Sequence, residues 1–196
     1  ILPSNTLSTT GVLDIEIGGI AFDSRYVRKG DLFFALTGQH IDGSAFIFDA
    51  IERGAAAVIT ESSRKNIEVP VVKVKDARQA LSEVSDKYYD QPSQKVKLIS
   101  ITGTKGKTTI TYLTQAILKK AFGHAFRIGT VEYDMEFQKI PASNTTPESQ
   151  VLHSLIDQGL KNGIKHGVIE VSSHALKTWR VEHLNFVVAG FTNLSI

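Results

Sequence analysis

The stretch Val96-Lys-Leu-Ile-Ser-Ile-Thr-Gly-Thr-Lys-Gly-Lys-Thr-Thr109 decides the fold of this chain. Its apolar residues 96–101 predict a buried parallel strand, and apolar residues recur at helical spacing after Lys107. A strand, a glycine loop, Lys-Thr and a helix, in this order, are typical of a site for a nucleoside triphosphate. Glycines let backbone N–H groups close around phosphate oxygens, and the helix N-terminus adds partial positive charge.

Two side chains of this loop have predicted roles. Lys107 can reach the outer phosphates, and the Thr108 hydroxyl can bind Mg²⁺. Ile101 stands where the common phosphate-loop pattern has a glycine. The alternative therefore stays open that the segment is only a helix start carrying a solvated lysine.

Composition narrows the class of protein. The 196 residues suit one large domain or two small ones, and a hydrophobic fraction of 42% is enough for a core. A net charge of +2 without basic runs argues against a nucleic-acid partner. The absence of cysteine excludes disulfides, thiolate metal sites and a cysteine nucleophile. With no membrane-length apolar stretch and no signal segment, we expect a cytoplasmic chain without a membrane partner.

Strand and helix patterns alternate along the chain and predict an α/β fold with parallel sheets. The polar segment 90–94 is interpreted as a linker between a small α/β domain, residues 1–92, and a second domain, residues 93–196. Asp42 and Asp76 are predicted to cap helices in the first domain. Strands are predicted at residues 19–22, 31–36, 55–60, 71–74, 96–102, 125–130, 167–171 and 185–191, with a hairpin-like excursion at 131–140.

The segment Asn144-Thr-Thr-Pro147 precedes a third amphipathic helix. Thr145 or Thr146 is predicted to cap that helix, with Glu148 placed for a capping box. The same N–H groups and hydroxyls could instead bind a carboxylate or phosphate. His153 lies opposite the apolar face of this helix and is predicted to be solvated.

Glu170 interrupts an apolar strand, which is unfavourable unless the carboxylate is paired or binds a metal. Near a triphosphate loop, a carboxylate at a strand end is a natural partner of Mg²⁺. A salt bridge to Lys107 is the alternative. A serine hydrolase is rejected, because Ser172 and His174 lie outside any glycine-flanked nucleophile turn. Arg180 is either a surface residue or an anion clamp.

Together these segments resemble the Mur ligase family, and most of all its UDP-N-acetylmuramoyl-tripeptide synthetase branch. The resemblance covers nearly the whole chain. Its motifs in the second domain are Thr102-Gly-Thr-Lys-Gly-Lys-Thr-Thr109, Asn144-Thr-Thr-Pro147, Glu170-Val-Ser-Ser-His-Ala-Leu176 and Phe191-Thr-Asn-Leu-Ser195. Those in the first domain are Asp23-Ser-Arg25, Gly30-Asp-Leu-Phe-Phe-Ala35 and Gly54-Ala-Ala-Ala-Val58.

The resemblance implies an ATP- and Mg²⁺-dependent ligase of peptidoglycan synthesis. Such an enzyme activates UDP-MurNAc-L-Ala-D-Glu as an acyl phosphate and joins it to an amino acid, L-lysine or meso-diaminopimelate. The implied partners are therefore the UDP-MurNAc-dipeptide and an amino acid, and the implied full-length enzyme is a monomer. The implied sites are catalytic Lys107; ATP-binding Gly103, Thr104, Lys105, Gly106, Lys107, Thr108 and Thr109; metal-binding Thr108 and Glu170; and substrate-binding Ser24, Gln39, His40, Asn144, Thr145, Thr146, Ser172 and Arg180.

Three departures from the family pattern stand out. Lys105 replaces the usual Asn of the loop, and Thr178 stands where Gln is frequent. The chain also ends at Ile196, before the family's metal-ligand histidine, its carbamylated lysine and its third domain. We therefore expect an N-terminal fragment, comprising a small α/β uridine-nucleotide domain and a truncated P-loop parallel-sheet ATPase domain. We expect that fragment to be inactive alone, and its second domain to be less stable than the first or to self-associate.

Other functions remain open at this stage. The rivals within the enzymes are another Mur ligase and a folylpolyglutamate synthase. The rival of a different class is a non-catalytic nucleotide-binding module. Which amino acid is added depends, in the family, on the third domain.

Overall fold

The protein is described by a computed structural model that covers residues 1–38, 42–63 and 66–195. It divides into two compact units, Ile1–Ser85 and Asp86–Ile196. Each unit carries one sheet in which parallel strands predominate, so the predicted α/β class is confirmed. The division falls after Ser85, upstream of the polar segment 90–94 that the sequence suggests as a linker.

The first unit holds a five-stranded sheet in the order β1-β5-β4-β3-β2. Strands β2 to β5 are parallel, whereas β1 runs antiparallel to β5. The bounds are β1 Thr6–Thr10, β2 Gly19–Ala21, β3 Asp31–Ala35, β4 Ala57–Thr60 and β5 Val71–Val74. Sequence reasoning missed β1, because an edge strand rich in Ser and Thr and largely exposed lacks an apolar signal.

Helix α1, Ile47–Glu52, connects β3 to β4, and helix α2, Ala77–Tyr88, follows β5. The cap predicted for α2 is confirmed, since Asp76 Oδ1 accepts hydrogen bonds from the N–H groups of Arg78 and Gln79, both at 2.9 Å. Asp42 caps the 3₁₀ helix Gly43–Phe46, which leads directly into α1. The helical turn therefore begins earlier than α1 itself.

The second unit holds a six-stranded sheet in the order β11-β6-β10-β7-β8-β9. Its first four strands are parallel, and β8 and β9 form the antiparallel excursion that the sequence indicates. The bounds are β6 Lys97–Thr102, β7 Phe126–Ile128, β8 Glu132–Asp134, β9 Lys139–Pro141, β10 His166–Glu170 and β11 Phe186–Phe191. The helices are α3 Lys107–Phe122, α4 Ser149–Lys161 and α5 Ser173–Lys177.

Two expectations about α4 are wrong. Its N-cap is Glu148, which makes no capping hydrogen bond through its side chain, and Thr145 and Thr146 lie before the helix with other partners. His153 is fully buried rather than solvated. Burial, and to a lesser extent the charge of nearby His183, lower the pKa of His153 to about 3, so the ring is neutral.

Apolar side chains remain exposed on two elements of the second unit. On α3 they include Leu113, Ile117 and Phe122, and on the edge strand β11 they include Val188 and Phe191. Parallel strands are normally covered on both faces, and β11 departs from that rule. Among the described residues, no helix is both long and apolar enough to cross a membrane.

Candidate functional site

The loop between β6 and α3 depends on its two glycines. Gly103 has a φ of +129°, and a Cβ there would lie 2.2 Å from Thr192 Oγ1. Gly106 has a φ of +83° and is the N-cap of α3. Only glycine adopts both conformations at low cost, so the chain can turn sharply from strand to helix.

The segment after β11 fastens this loop. Asn193 accepts from the Thr104 N–H through its backbone oxygen at 2.9 Å and from the Lys105 N–H through Oδ1 at 3.2 Å. Thr192 Oγ1 donates to the Lys105 carbonyl at 2.7 Å. Because the N–H groups of Thr104 and Lys105 are engaged, the first turn of α3 is the better source of phosphate donors. The N–H groups of its first residues have no acceptor within the helix.

Lys107 folds over the loop that it follows. Its Nζ donates to the carbonyl oxygens of Gly103, at 2.8 Å, and Thr104, at 3.2 Å. These contacts keep the ammonium group at the mouth of the loop, beside the start of α3. A phosphate bound there would compete for the same ammonium protons.

Glu170 ends β10 and is fully buried. Its Oε2 accepts from the hydroxyls of Thr108 and Thr130, both at 3.0 Å. Its Oε1 accepts from the Thr130 N–H at 3.2 Å. The Thr111 hydroxyl, which donates to the Thr108 carbonyl at 2.9 Å, lies 3.4 Å from the same Oε1. Lys107 instead bonds to the loop carbonyls, so in this structure hydroxyls and an N–H replace the suggested salt bridge.

The neighbourhood of Glu170 fits a hard divalent cation. Thr108 Oγ1 and Glu170 Oε2 are 3.0 Å apart, a separation that two oxygens bound about 2.0–2.1 Å from one Mg²⁺ can have. No group of three or more metal-binding His, Cys, Asp or Glu side chains occurs in the part of the chain that the structure describes. The remaining ligands would therefore be phosphate and water oxygens, as Mg²⁺ prefers.

The segment Asn144–Pro147 lies against the end of β10. Thr146 is buried, and its hydroxyl donates to the Glu170 carbonyl at 2.7 Å and accepts from the Ser172 N–H at 3.1 Å. Thr145 Oγ1 is 3.1 Å from Thr130 Oγ1. Asn144 is exposed and is held through its backbone by the Tyr133 hydroxyl. Thr146 is thus a structural link, whereas Asn144 and Thr145 face outward enough to meet a ligand.

Arg180 holds the same segment in place. Its side chain is only 9% exposed and pairs with Glu148 at 2.7 Å. A second N–H donates to the Thr146 carbonyl, also at 2.7 Å. The surface alternative for Arg180 is therefore wrong, and its guanidinium is already engaged by the protein.

Ser172 is the N-cap of α5. Its Oγ accepts from the Ala175 N–H at 3.2 Å, which leaves the hydroxyl proton to donate elsewhere. Around the end of β10 the structure thus brings together five of the predicted site residues: Thr108, Thr145, Thr146, Glu170 and Ser172.

A separate cavity of about 490 Å³ lies in the first unit. Ser24 lines it and is itself buried. Asp23 and Arg25 pair at 2.6 Å on its rim, and the hydrogen bond from Arg25 lowers the pKa of the Asp23 carboxyl. The other lining residues are Phe22, Phe33, Leu36, Gly43 and Phe46. Gln39 and His40 lie outside the described residues.

Thr130, Thr111 and Thr192 are site residues that the sequence analysis did not single out. Each acts through a hydroxyl that contacts the carboxylate or the loop. Threonines are common on strands and helix starts, so nothing in their spacing marks these three. Thr192 alone had a signal, since it lies in the segment Phe191-Thr-Asn-Leu-Ser195 that carries the family resemblance.

Comparisons with known proteins identify the family of this chain. Residues 101–196 match the Mur ligase middle domain, and residues 16–89 match the Mur ligase family, catalytic domain. The chain is 45% identical over 190 residues to the UDP-N-acetylmuramoyl-L-alanyl-D-glutamate–2,6-diaminopimelate ligase of Geobacter sulfurreducens, covering 96% of this chain and 37% of that protein. The ligase of the same name from Geobacillus thermodenitrificans is 42% identical over 180 residues, covering 92% and 37%.

Solved structures give the same result. A UDP-N-acetylmuramoyl-L-alanyl-D-glutamate–2,6-diaminopimelate ligase superposes with a TM-score of 0.79 and 27% identity, over 94% of this chain and 39% of that one. A MurF ligase from Thermotoga maritima in complex with ADP, 23% identical with a TM-score of 0.57 over 84% of this chain and 34% of that one, shares the fold. The chain thus spans about 37% of the length of the curated relatives quoted above.

Proposed function

Because this chain belongs to the Mur ligase family, we propose that it forms the nucleotide-binding part of an ATP-dependent amide ligase. The proposed reaction joins 2,6-diaminopimelate to UDP-N-acetylmuramoyl-L-alanyl-D-glutamate, which is what the names of relatives at 45% and 42% identity state for those proteins. The observation that carries the proposal is the buried Glu170, whose carboxylate accepts from the Thr108 hydroxyl at 3.0 Å, at the start of α3. Its backbone carbonyl accepts from Thr146 of the Asn144–Pro147 segment.

ATP is proposed to bind at the loop 103–106 and the first turn of α3. The N–H groups of that turn and the Lys107 ammonium would neutralise phosphate charge, which is the main task of a protein in phosphoryl transfer. Thr108 and Glu170 would hold Mg²⁺. The cation would supply charge neutralisation at the β- and γ-phosphates and hold them in one orientation.

In the proposed reaction, a carboxylate oxygen of the muramoyl-dipeptide attacks the γ-phosphorus, and ADP leaves. The amine of the incoming amino acid then attacks the acyl carbon, and inorganic phosphate leaves as the amide forms. Asn144, Thr145 and the free O–H of Ser172 are the groups near Glu170 that could orient the dipeptide. Arg180 would act on the dipeptide through the segment that it holds, by way of Glu148 and the Thr146 carbonyl.

The cavity of the first unit is proposed to take the uridine end of the same substrate. Its aromatic and aliphatic walls suit a flat base, and Ser24 and the Asp23–Arg25 pair provide polar groups at its rim. Gln39 and His40 stay predicted members of this site.

Calorimetry on residues 1–196 tests the nucleotide part of the proposal. Lys107→Ala should weaken binding of a Mg²⁺-bound, nonhydrolysable ATP analogue by about 100-fold, because a charge-assisted phosphate contact is lost. Lys120→Ala, at an exposed position of the same helix, is the matched control and should leave the affinity unchanged. Equal affinities for wild type and Lys107→Ala would make Lys107 a solvated lysine and contradict the assigned role.

Binding of UDP-N-acetylmuramoyl-L-alanyl-D-glutamate to the same chain tests the substrate part. In a protein of the relatives' full length that carries this segment, phosphate release should require ATP, the dipeptide and the amino acid together. Nucleotide binding without such release would identify a non-catalytic module instead.

A further inference from the structure

Thr130 contacts both oxygens of the Glu170 carboxylate. Its backbone N–H donates to Oε1 at 3.2 Å, and its hydroxyl lies 3.0 Å from Oε2. Thr108 reaches only Oε2, and Thr111 makes a longer contact of 3.4 Å with Oε1. Thr130 is therefore the residue that fixes the plane of the carboxylate, since two contacts at different oxygens prevent rotation about the terminal bond.

The approach of Thr130 depends on the residue before it. A Cβ at Gly129 would lie 2.1 Å from Glu170 Oε1, which is closer than any side chain tolerates. Because β7 and β10 are parallel neighbours, their carboxyl ends meet, and the Gly129-Thr130 turn passes directly over the carboxylate. A glycine followed by a hydroxyl donor is the combination that this close passage requires.

The Thr130 hydroxyl also touches Thr145, with 3.1 Å between the two Oγ1 atoms. A hydroxyl has one proton to donate and can still accept, whereas an ionised carboxylate can only accept. The Thr130 proton therefore points to Glu170, and Thr145 donates to Thr130. A directed chain of hydrogen bonds then runs from Thr145 through Thr130 to Glu170, and Thr108 reaches the same carboxylate oxygen from the nucleotide loop.

We propose that Thr130 is a positioning residue that locks the Glu170 carboxylate for the cation and couples the nucleotide loop to the Asn144–Pro147 segment. The inference rests on the proposed function. Thr108 is expected to bind the cation itself, so the Thr130 contacts are those that hold the carboxylate independently of it. A ligand that draws the Thr145 hydroxyl away would weaken that hold, and occupancy of the two sites would bias each other.

A double-mutant cycle on unfolding in the absence of any ligand tests the contact. Thr130→Val keeps the shape and the N–H but removes the hydroxyl. It should raise the unfolding equilibrium constant about tenfold, and only about threefold in a Glu170→Gln background, because hydrogen bonds to charged groups are stronger. Thr178→Val removes a hydroxyl that bonds to a neutral carbonyl and should show no such dependence on Glu170. Equal effects in the two backgrounds would overturn the contact.

Magnesium dependence separates positioning from a merely structural role. ADP affinity is measured by calorimetry with excess Mg²⁺ and again with chelator, and the ratio of the two affinities is the readout. Thr130→Val should lower this ratio about tenfold with little change in the Mg²⁺-free affinity, and Thr130→Ser, which keeps the hydroxyl, should restore it. An unchanged ratio, or an equal loss with and without Mg²⁺, would overturn positioning.

The coupling has its own measurement. The affinity for UDP-N-acetylmuramoyl-L-alanyl-D-glutamate is compared with and without saturating ADP and Mg²⁺. We expect the ratio of these two affinities to differ from one in wild type and to be close to one in Thr130→Val. A ratio that the substitution leaves unchanged would overturn the coupling. A wild-type chain whose ADP affinity does not respond to Mg²⁺ would contradict the proposed function and with it the positioning role, even if the unfolding cycle confirmed the contact.

Discussion

Glu170 and His153 are both fully buried ionisable residues of the second unit, yet their surroundings are opposite. Glu170 accepts hydrogen bonds from Thr108 and Thr130 and lies at the end of a strand beside the glycine loop. Neither ring nitrogen of His153 has a hydrogen-bond partner within the described part of the chain. The nearest carboxylate, Asp86, is 3.8 Å from its Nδ1, too far for a hydrogen bond.

The two residues resolve the penalty of burial in different ways. His153 stays neutral, because burial lowers its pKa to about 3. Glu170 is instead surrounded by donors that stabilise a carboxylate without neutralising its charge. A buried carboxylate that donors hold in one orientation, beside the glycine loop, is the group that we propose for the cation. A buried group without partners is part of the core.

The largest expected effect comes from removing the charge of Glu170. Glu170→Gln keeps the shape but should abolish the gain in ADP affinity that Mg²⁺ provides, a loss of about 100-fold or more, because a neutral amide is a poor ligand for a hard cation. Calorimetry with and without Mg²⁺ measures this loss, and Glu182→Gln at an exposed position is the control. Retention of the Mg²⁺ gain in Glu170→Gln would place the cation elsewhere.

A smaller effect is expected when the carboxylate is displaced rather than removed. In Gly129→Ala the new Cβ would lie 2.1 Å from Glu170 Oε1, so the carboxylate must move. We expect a loss of about 1–3 kcal/mol in the free energy of unfolding, as for other overpacked sites, measured by urea denaturation. Gly18→Ala, where the nearest atoms lie 3.8 Å from the new Cβ, should cost much less. Equal losses would show that the Gly129 turn has room that the structure does not indicate.

The smallest expected effect, taken over one pH unit, concerns the protonation of His153. Its pKa is about 3 when folded and near 6.5 when unfolded, so the unfolded chain binds the extra proton between these values. The contribution of His153 is therefore complete above pH 6.5 and is lost as the pH falls, by up to about 1.4 kcal/mol per pH unit.

Comparison with a variant separates the contribution of His153 from that of other titrating groups. Burial raises the pKa of the neighbouring Asp86 carboxyl. The contribution of Asp86 to the stability of the folded protein is therefore lost as the pH rises, which is opposite in sign to that of His153. The difference in the free energy of unfolding between wild type and His153→Leu should nevertheless change with pH below 6.5, because only the wild type has the buried imidazole. A pH slope shared by wild type and His153→Leu would mean that His153 is not kept neutral.

Sequence reasoning succeeded where a local pattern had one structural solution. The glycine loop, the strand before it and the helix beginning at Lys107 all follow from residues adjacent in the chain. The strand bounds 71–74 and the cap at Asp76 are confirmed for the same reason. It failed at His153 because a helical wheel assumes one apolar face, and α4 is covered on more of its surface than that.

The sequence by itself therefore determined the class of fold, the glycine loop that leads to Lys107 and Thr108, and the unusual position of Glu170 in an apolar strand. Those features depend on residue type and spacing along a few turns of chain. Only the tertiary structure decided that Thr130 and Thr111 reach the carboxylate and that Asn193 fastens the loop. The reason is physical, because neighbouring parallel strands bring together residues that are 40 or 88 positions apart in the sequence. The spacing of hydroxyl residues along the chain does not indicate which acceptor each of them will contact.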